Sequence, residues 1–240
     1  IHAKAAGVLA GVEIAGRVFQ LLDKDIVYRP KLSDGAQLTK TSRIAEVEGN
    51  ARAILMGERL ALNLLQHLSG IATKTAALAA LARPYGAKLV DTRKPPPGMR
   101  LLEKYAVRVG GGSNHRLGLY DAMLIKDNHI KVAGGVGKAV RMARGYASHM
   151  TKIEVEVENL AGVQEALEAK ADVIMLDNMA PEKMQEAVQL IAHRAVVEAS
   201  GGIDAETLAA AAASGVDVIS VGALTHSVQA LDISMDIGKE

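Results

Sequence analysis

Cysteine and tryptophan are absent from this chain of 240 residues, and phenylalanine occurs only once. Without cysteine the protein can form no disulfide bond, no thiolate metal site and no thiol nucleophile. Because aromatic rings are so scarce, the stacking platforms that usually hold single-stranded nucleic acid are not expected. No apolar run approaches the ~20 residues needed to span a bilayer, and no signal peptide is visible. The sequence therefore predicts a cytoplasmic protein that binds neither nucleic acid nor membranes.

Aliphatic side chains and nine methionines must supply the core, because hydrophobic residues make up 49% of the chain and few of them are aromatic. A chain of this length accommodates one large α/β domain, or a barrel with a smaller companion domain. The formal net charge is only +1, so a strongly charged site must arise from local clustering. The chain begins at Ile1 inside a predicted strand, and we expect further residues to precede it in the complete protein.

Residues 88–129 form the most informative segment, in which short apolar stretches bounded by Gly and Pro run into polar clusters. The three clusters are Asp91-Thr92-Arg93-Lys94, Gly110-Gly111-Gly112-Ser113-Asn114-His115-Arg116 and Lys126-Asp127-Asn128-His129. Such stretches are typical of strands that end in loops, and these loops carry the chemistry of α/β proteins. The candidate ligand-binding residues are Arg93, Lys94, His115, Arg116 and Lys126. A basic pocket in a nearly neutral protein indicates a small, highly anionic ligand, such as a phosphate or a polycarboxylate.

The first part of the chain differs in texture from the rest. Residues 5–11 and 43–48 are predicted to be strands, with a helix over residues 12–22. We interpret residues 1–57 as a small α+β domain with a half-exposed sheet. A long helical pattern follows over residues 58–81.

A regular alternation of strands and helices then begins. The predicted strands are 87–91, 105–109, 122–126, 153–157, 173–177, 196–199 and 218–221, and the predicted helices include 138–147, 160–169, 182–193 and 204–214. This rhythm predicts a seven-stranded α/β barrel over residues 58–224, and a doubly wound open sheet is the rival interpretation. Residues 225–240 are predicted to return to the N-terminal domain.

The fourth predicted strand of the barrel places acidic residues on one face. Because side chains alternate along a strand, Glu154, Glu156 and Glu158 share a face. Carboxylates on a central strand are costly unless they meet cations, a metal ion or hydroxyl groups. The next strand ends at Asp177. Glu156 and Asp177 are therefore either functional or partners of the nearby cations in a structural network.

The last two predicted strands end in small residues. These ends are Ser200-Gly201-Gly202 and Ser220-Val221-Gly222. In α/β barrels, the loops after the final two strands often hold a phosphate with backbone N–H groups. Since both segments lack bulk and each is soon followed by a helix, they predict a phosphate-binding cradle.

Together these strings resemble quinolinate phosphoribosyltransferase, the carboxylating nicotinate-nucleotide pyrophosphorylase family. The resemblance also rests on Glu58-Arg59-Leu60-Ala61-Leu62-Asn63, Arg100-Leu101-Leu102-Glu103-Lys104-Tyr105-Ala106, Leu176-Asp177-Asn178, Glu198-Ala199-Ser200-Gly201-Gly202 and Ser220-Val221-Gly222-Ala223-Leu224-Thr225-His226. The strings occur in order and span nearly the whole chain. One departure is Pro95-Pro96, where the family pattern has two threonines, so that two hydroxyls and two N–H donors are lost.

The resemblance implies an N-terminal open-faced α/β sandwich and a seven-stranded α/β barrel. It implies a homodimer, or a larger assembly of dimers, in which each active site is completed by the neighbouring subunit. It also implies that the family's chain carries a further N-terminal stretch, so residues 1–57 are expected to be an incomplete domain. The implied enzyme is a pentosyltransferase of NAD biosynthesis, which joins quinolinate to phosphoribosyl pyrophosphate and releases pyrophosphate, carbon dioxide and nicotinate mononucleotide.

The resemblance also implies roles for individual residues. Quinolinate is assigned to Arg93, His115 and Arg116, with Arg59 from the partner chain, and Thr92 is a further substrate-binding residue. The catalytic group is Lys94, Lys126, Glu156 and Asp177, in which the two lysines hold the phosphates of the sugar donor. The 5-phosphate cradle is Ser200, Gly201, Gly202, Gly222 and His226. Glu156 and Asp177 are expected to stabilise positive charge on the ribose and to bind Mg²⁺, directly or indirectly.

Two alternatives remain at this stage. A paralogous molybdenum-transport accessory protein, or another anion-binding barrel, shares parts of the pattern but typically lacks the string that begins at Lys126. An anion binder also gains nothing from carboxylates such as Glu156 beside its cations. A barrel phosphotransferase or aldolase is the enzymatic alternative, but no dry environment that would activate Lys126 as a Schiff-base nucleophile is visible.

Overall fold

The computed structural model describes residues 1–238 and divides the chain into two compact units. The first unit contains residues 1–77, residues 95–112 and the chain from Leu224 onward. The second unit contains residues 78–94 and 113–223. The predicted tail, residues 225–240, is described as far as residue 238.

The elements are numbered in chain order. The strands are β1 (His2–Ala3), β2 (Gly7–Val8), β3 (Val27–Pro30), β4 (Gln37–Leu38), β5 (Ala45–Glu48), β6 (Lys88–Val90), β7 (Met123–Ile125), β8 (Ile153–Val157), β9 (Val173–Asp177), β10 (Val196–Ser200), β11 (Val218–Ser220) and β12 (Ile233–Ser234). The helices are α1 (Val12–Leu22), α2 (Ala51–Ala82), α3 (Arg100–Val109), α4 (Asp127–Ala133), α5 (Val136–Tyr146), α6 (Leu160–Glu168), α7 (Pro181–Ile191), α8 (Leu208–Ala213) and α9 (Ala223–His226), with a 3₁₀ turn at Arg83–Tyr85.

Three antiparallel strand pairs frame the first unit: β1 with β12, β2 with β4, and β3 with β5. Helix α1 buries Phe19 completely among aliphatic side chains, and Ile233 of the C-terminal segment joins the same core. The start of α1 is fixed by Asp34, whose carboxylate accepts the N–H groups of Gly11 at 2.9 Å and Val12 at 3.0 Å. A carboxylate in this position satisfies orphan donors and favours the positive end of the helix dipole.

Helix α2 begins seven residues before the predicted start at residue 58, because Asn50 acts as an N-cap. The Asn50 side chain accepts the N–H of Arg52 at 3.0 Å and that of Ala53 at 3.3 Å. None of the helices in residues 1–238 combines the length and apolar character that a membrane span requires.

The second unit is built on a parallel six-stranded sheet in the order β6-β11-β10-β9-β8-β7. Apart from the strand predicted at 105–109, each barrel strand lies within one residue of its predicted bounds. Helices α5, α6, α7 and α8 alternate with strands β8 to β11 along the chain. The predicted α/β class, with a parallel sheet and a small N-terminal domain, is confirmed, although six strands replace the expected seven in the described residues.

The strand predicted at 105–109 is wrong, because these residues complete helix α3. The segment buries Ala106 and Val107 together with Glu103 and Lys104, a grouping that matches a helical face rather than alternation. In place of the seventh strand, Ser113 forms a single parallel bridge to Val90 at the edge of β6.

Candidate active site

A cavity of about 190 Å³ lies in the second unit and is lined by residues from several strand ends. Its lining consists of Thr92, Arg93, Lys94, His115, Arg116, Leu124, Lys126, Met175, Glu198, Ser200 and Ser220. Seven of these eleven residues are ones that the sequence assigned to the site. Four lining side chains carry fixed positive charge, so the cavity is suited to a polyanionic ligand.

Asp91, at the end of β6, holds the loop that follows Ser113. Its buried carboxylate accepts the backbone N–H of His115 at 2.9 Å and the side-chain amide of Asn114 at 2.6 Å. Two bonds to one carboxylate fix both the position and the rotation of this loop. Sequence analysis assigned no role to Asp91, although its position at the end of an apolar strand is a signal that could have found it.

His115 is held at both ring nitrogens. Nδ1 accepts the backbone N–H of Arg116 at 2.8 Å, while Nε2 lies 3.1 Å from Glu154 Oε2 and 3.6 Å from Glu198 Oε1. A ring nitrogen that accepts a hydrogen bond carries no proton. With Nδ1 as an acceptor, the ring proton lies on Nε2 and faces the two carboxylates.

Glu154 and Glu198 form a buried acidic pair inside the sheet. They are 5% and 3% exposed, and Oε1 of each has no hydrogen-bond partner among residues 1–238. Burial, followed by the charge of Glu154, raises the pKa of Glu198 to about 7, against opposing contributions from His115 and the Ser220 hydroxyl. Burial and the neighbouring carboxylate therefore favour the protonated form of Glu198. The sequence assigned a role to neither residue.

His115, Glu154 and Glu198 also form a cluster whose ligand-type atoms lie within 4.8 Å of one another. Metal coordination at His115 Nε2 requires that nitrogen to be deprotonated. Because Nδ1 already accepts a hydrogen bond, losing the Nε2 proton would leave an imidazolate. The cluster is thus better described as a hydrogen-bonded network than as a metal site.

Arg116 projects from the same loop, and its guanidinium donates to the carbonyl of Ala122 at 3.1 Å. Burial lowers the pKa of Arg116 and the charge of Arg93 acts in the same direction, while Glu154 and Asp121 oppose both. Two guanidinium groups that repel each other electrostatically gain from an anion placed between them.

Lys126 and Glu156 form an ion pair at the ends of β7 and β8, with 2.7 Å between Nζ and Oε2. The Glu156 side chain is 15% exposed and that of Lys126 is 47% exposed. On the next strand, Asp177 accepts the side-chain amide of Asn178 at 2.9 Å. Both carboxylates thus lie at the carboxyl ends of neighbouring strands, as the sequence predicted.

The segment after β10 turns sharply, with Gly201 at φ 92° and Gly202 at φ 59°. A Cβ on Gly201 would lie 2.3 Å from Asn178 Oδ1 and 2.8 Å from the Asn178 backbone nitrogen. Glycine is required there by both conformation and space. Gly222 follows β11, where the Val221 N–H donates to Val90 at 3.0 Å.

Two residues assigned by resemblance belong to the first unit. Arg59 lies on α2 and His226 ends α9, and both are exposed. Their part in the site therefore stays a prediction.

A larger cavity, of about 920 Å³, opens at the amino ends of the strands, where Lys88, Asp172 and Asp217 are among its lining residues. The acidic groups there have structural partners: Asp172 accepts the N–H of Ile153, and Asp217 accepts that of Val197. In α/β barrels the amino-terminal face serves stability rather than catalysis, so we place the candidate site in the smaller cavity.

Comparison with known proteins gives the same family along nearly the whole chain. The model of the quinolinate phosphoribosyl transferase C-terminal domain matches residues 71–236, and that of the N-terminal domain matches residues 1–69. A probable nicotinate-nucleotide pyrophosphorylase (carboxylating) of Bacillus subtilis (strain 168) is 49% identical over 237 residues, or 99% of this chain and 82% of the relative. A quinolinate phosphoribosyltransferase (decarboxylating) of Nicotiana tabacum is 42% identical over 256 residues, or 99% of this chain and 72% of the relative.

Solved structures of the same family are also similar to this chain. The crystal structure of NadC from Streptococcus pyogenes has a TM-score of 0.94 at 48% sequence identity, and covers 98% of this chain and 83% of that one. The structure of the nicotinate-nucleotide pyrophosphorylase from Francisella tularensis has a TM-score of 0.93 at 46% identity, with 96% and 82% covered. The resemblance found in the sequence is confirmed, and the chain belongs to the quinolinate phosphoribosyl transferase family.

Proposed function

We propose that this protein transfers phosphoribosyl from phosphoribosyl pyrophosphate to quinolinate with decarboxylation, giving nicotinate mononucleotide, pyrophosphate and carbon dioxide for NAD biosynthesis. The observation that carries the proposal is the joint presence of cations and carboxylates at the strand ends, typified by the Lys126–Glu156 pair. A simple anion binder gains nothing from a carboxylate there. A glycosyl-transfer site needs both charges, because an anion leaves while a cation develops.

Quinolinate carries two adjacent carboxylates, and forked guanidinium donors bind such groups bidentately. Arg93 and Arg116 line the cavity and repel each other electrostatically, so they are the residues that we assign to these carboxylates. Both ring nitrogens of His115 already contact protein atoms. We therefore expect His115 to shape this subsite chiefly by holding the backbone of Arg116.

The sugar donor is assigned to other residues of the site. Lys94 and Lys126 would bind its phosphates as point charges. The 5-phosphate would lie against the small residues after β10 and β11, which are Ser200, Gly201, Gly202 and Gly222, with His226 as a further contact. The positive φ angles of Gly201 and Gly202 support this assignment, because they allow the backbone to approach a phosphate closely.

Positive charge develops on the ribose ring as pyrophosphate leaves. Glu156 and Asp177 would stabilise that charge and accept hydrogen bonds from the ribose hydroxyls. Their carboxylate oxygens also fit Mg²⁺, which is typically held by one or two carboxylates together with substrate phosphates. When bound, Mg²⁺ would neutralise charge on the departing pyrophosphate.

Decarboxylation needs no organic cofactor in this scheme. Once the ring nitrogen bears the ribose it is cationic, and the pyridinium can accept the electron pair released by the adjacent carboxylate. The protein's own part is to hold the ring and exclude water from it.

A homodimer with shared sites is part of the proposal. Arg59 lies on a face of α2 where Leu55, Met56 and Leu60 are 56%, 64% and 57% exposed. Residues three or four apart on a helix lie side by side, so Leu55 and Met56 lie beside Arg59, and Leu60 lies beside Met56. Such an apolar surface around an exposed arginine supports burial against a second copy, with Arg59 directed into that copy's site.

The test is an assay of the purified protein with quinolinate, phosphoribosyl pyrophosphate and Mg²⁺. We expect nicotinate mononucleotide and carbon dioxide in equal amounts from quinolinate, and neither product when nicotinate replaces it. No product from a folded, dimeric preparation would point instead to the transport-accessory paralogue. The expected cytoplasmic location of the protein stays a prediction, which cell fractionation would check.

A further inference from the structure

We propose that Glu198 is the general acid that protonates the pyridine ring after carbon dioxide has left. This inference rests on the proposed function, and it assigns a catalytic role to a residue that the sequence left unassigned.

The reaction requires such a donor. When the bond between the ring carbon next to nitrogen and its carboxylate breaks, carbon dioxide departs and the electron pair stays on that carbon. The carbon must take up one proton to give nicotinate mononucleotide, since otherwise carbon dioxide can add back. In the proposed step the Glu198 carboxylic acid gives this proton and becomes a carboxylate, which is then reprotonated by water.

Glu198 is placed to act on a molecule in the cavity. It lies in the middle of β10, in register with Met175 of β9, and both residues line the cavity. Its side chain is 4% exposed, and its Oε1 atom, 3.6 Å from His115 Nε2, makes no hydrogen bond among the described residues. A buried, unpartnered oxygen at a cavity wall is costly unless a ligand or a proton satisfies it.

The charges around Glu198 favour its protonated form. Burial, followed by the charge of Glu154 on β8, raises its pKa to about 7. The charged side chains that share the cavity lining with Glu198 are Arg93, Lys94, Arg116 and Lys126, and His115 lies between the two carboxylates. A bound quinolinate dianion would neutralise those cations and add negative charge, so it would favour the acid form further.

The other candidate donors are less suitable. His115 holds its single ring proton on Nε2, and giving it up would leave an imidazolate. Arginine does not lose its proton in proteins. Lys126 is already paired with Glu156, with 2.7 Å between Nζ and Oε2. Glu198 is therefore the lining group that can release a proton and recover it near neutral pH.

The experiment is a single-turnover comparison of the wild-type enzyme with Glu198→Gln, following pyrophosphate and nicotinate mononucleotide separately. Glutamine keeps the shape and neutrality of the protonated acid, so we expect the KM for quinolinate to change less than about threefold, while nicotinate mononucleotide appears about 10²-fold more slowly. Pyrophosphate, which is released before decarboxylation, should appear at the wild-type rate. The matched control is Glu168→Gln, since Glu168 is an exposed glutamate on α6.

The inference is overturned if Glu198→Gln forms both products at the wild-type rate, because water would then be the donor. It is also overturned if both products slow together while KM rises, because that result indicates a structural role. Should the glutamine variant fail to fold, Glu198→Asp supplies the test, because its shorter side chain places the acid farther from the ring carbon and nicotinate mononucleotide should then lag behind pyrophosphate. Release of both products from Glu198→Asp at the wild-type rate would overturn the inference. A wild-type enzyme that forms no nicotinate mononucleotide would instead refute the proposed function.

The pH dependence gives a second readout. In the wild-type enzyme, the rate of nicotinate mononucleotide formation should fall as the pH rises through the pKa of Glu198, because the acid form is lost. The Glu198→Gln variant should lose this alkaline decline. An unchanged profile in the variant would contradict the assignment.

Discussion

Lys126 Nζ lies 2.7 Å from Glu156 Oε2, so the cation and the carboxylate at the ends of β7 and β8 neutralise each other before any substrate binds. An anionic phosphate that approaches Lys126 competes with Glu156. Release of Glu156 from that pair would leave its carboxylate available to the ribose. In the proposed reaction, the pair would link binding of the leaving group to the placement of the carboxylate that stabilises the sugar cation.

The first prediction concerns this pair. Lys126→Ala should lower kcat/KM by about 10³-fold or more, because a phosphate contact and the orientation of Glu156 are lost together. The circular-dichroism spectrum should stay native, since the Lys126 side chain is 47% exposed. Lys131→Ala is the matched control, because Lys131 is exposed and pairs with Asp127 on α4 rather than with a cavity residue. Wild-type turnover in Lys126→Ala would remove Lys126 from the catalytic group.

Much of the second unit could be predicted because its strands are short apolar runs between polar loops. The segment Ile153–Val157 was predicted to the residue, since alternation is a local property of the chain. The strand prediction for residues 105–109 is wrong because a five-residue apolar pattern does not distinguish a strand from the end of a helix. Helix α2 was predicted too short, since the capping role of Asn50 lies outside the apolar pattern.

The site was predicted only where its residues follow strands. Sequence analysis assigned no role to Glu198 because the residue lies within a predicted strand, where a core position is expected. Its importance depends on Glu154, which is on β8, two strands away in the sheet. Strand order and the approach of two carboxylates across the sheet interior are long-range properties, and a single sequence does not contain them. Arg59 and His226 rest on the resemblance alone.

The second prediction tests the shared site. If each site receives Arg59 from the partner subunit, a hybrid dimer contains one intact site. That site lies in the Arg59→Ala subunit, which keeps its own Lys126 and receives Arg59 from its Lys126→Ala partner. Mixing the two inactive variants should therefore restore about a quarter of wild-type activity, since half of the dimers are hybrids and each hybrid has one intact site of two. The measurement is specific activity after subunit exchange has been demonstrated by mass spectrometry. Continued inactivity after exchange would argue that each site uses its own Arg59.

The third prediction concerns the cradle after β10. Gly201→Ala should raise the KM for phosphoribosyl pyrophosphate about tenfold, equivalent to ~1.4 kcal/mol, because the new Cβ would displace Asn178 beside Asp177. Gly35→Ala is the control, since Gly35 has the similar φ of 90° but no atom within 4 Å of its Cβ position. Both variants should lose about 1 kcal/mol of stability from the left-handed backbone, yet Gly35→Ala should keep its KM. Equal kinetics in the two variants would place the 5-phosphate elsewhere.

The last prediction concerns the first unit, where the Tyr105 hydroxyl donates to Asp34 Oδ2 at 2.5 Å. Burial and this bond to a carboxylate raise the pKa of Tyr105 to about 12, so the hydroxyl remains a donor throughout the range in which the protein is handled. Asp34 also accepts the first N–H groups of α1. The bond thus ties helix α3 to the start of α1.

Tyr105→Phe should lower the free energy of unfolding by about 1–2 kcal/mol, because the hydrogen bond to a charged group is lost while the ring remains. Tyr146→Phe removes a hydroxyl from a residue that is 88% exposed, and it should leave stability unchanged. Urea unfolding of the two variants against the wild type measures the difference. Since Asp34 retains its bonds to α1 in Tyr105→Phe, the loss should be smaller than that of Asp34→Ala, which removes the helix cap as well. Equal losses in Tyr105→Phe and Asp34→Ala would mean that the capping bonds contribute nothing, which would contradict the assigned role of Asp34.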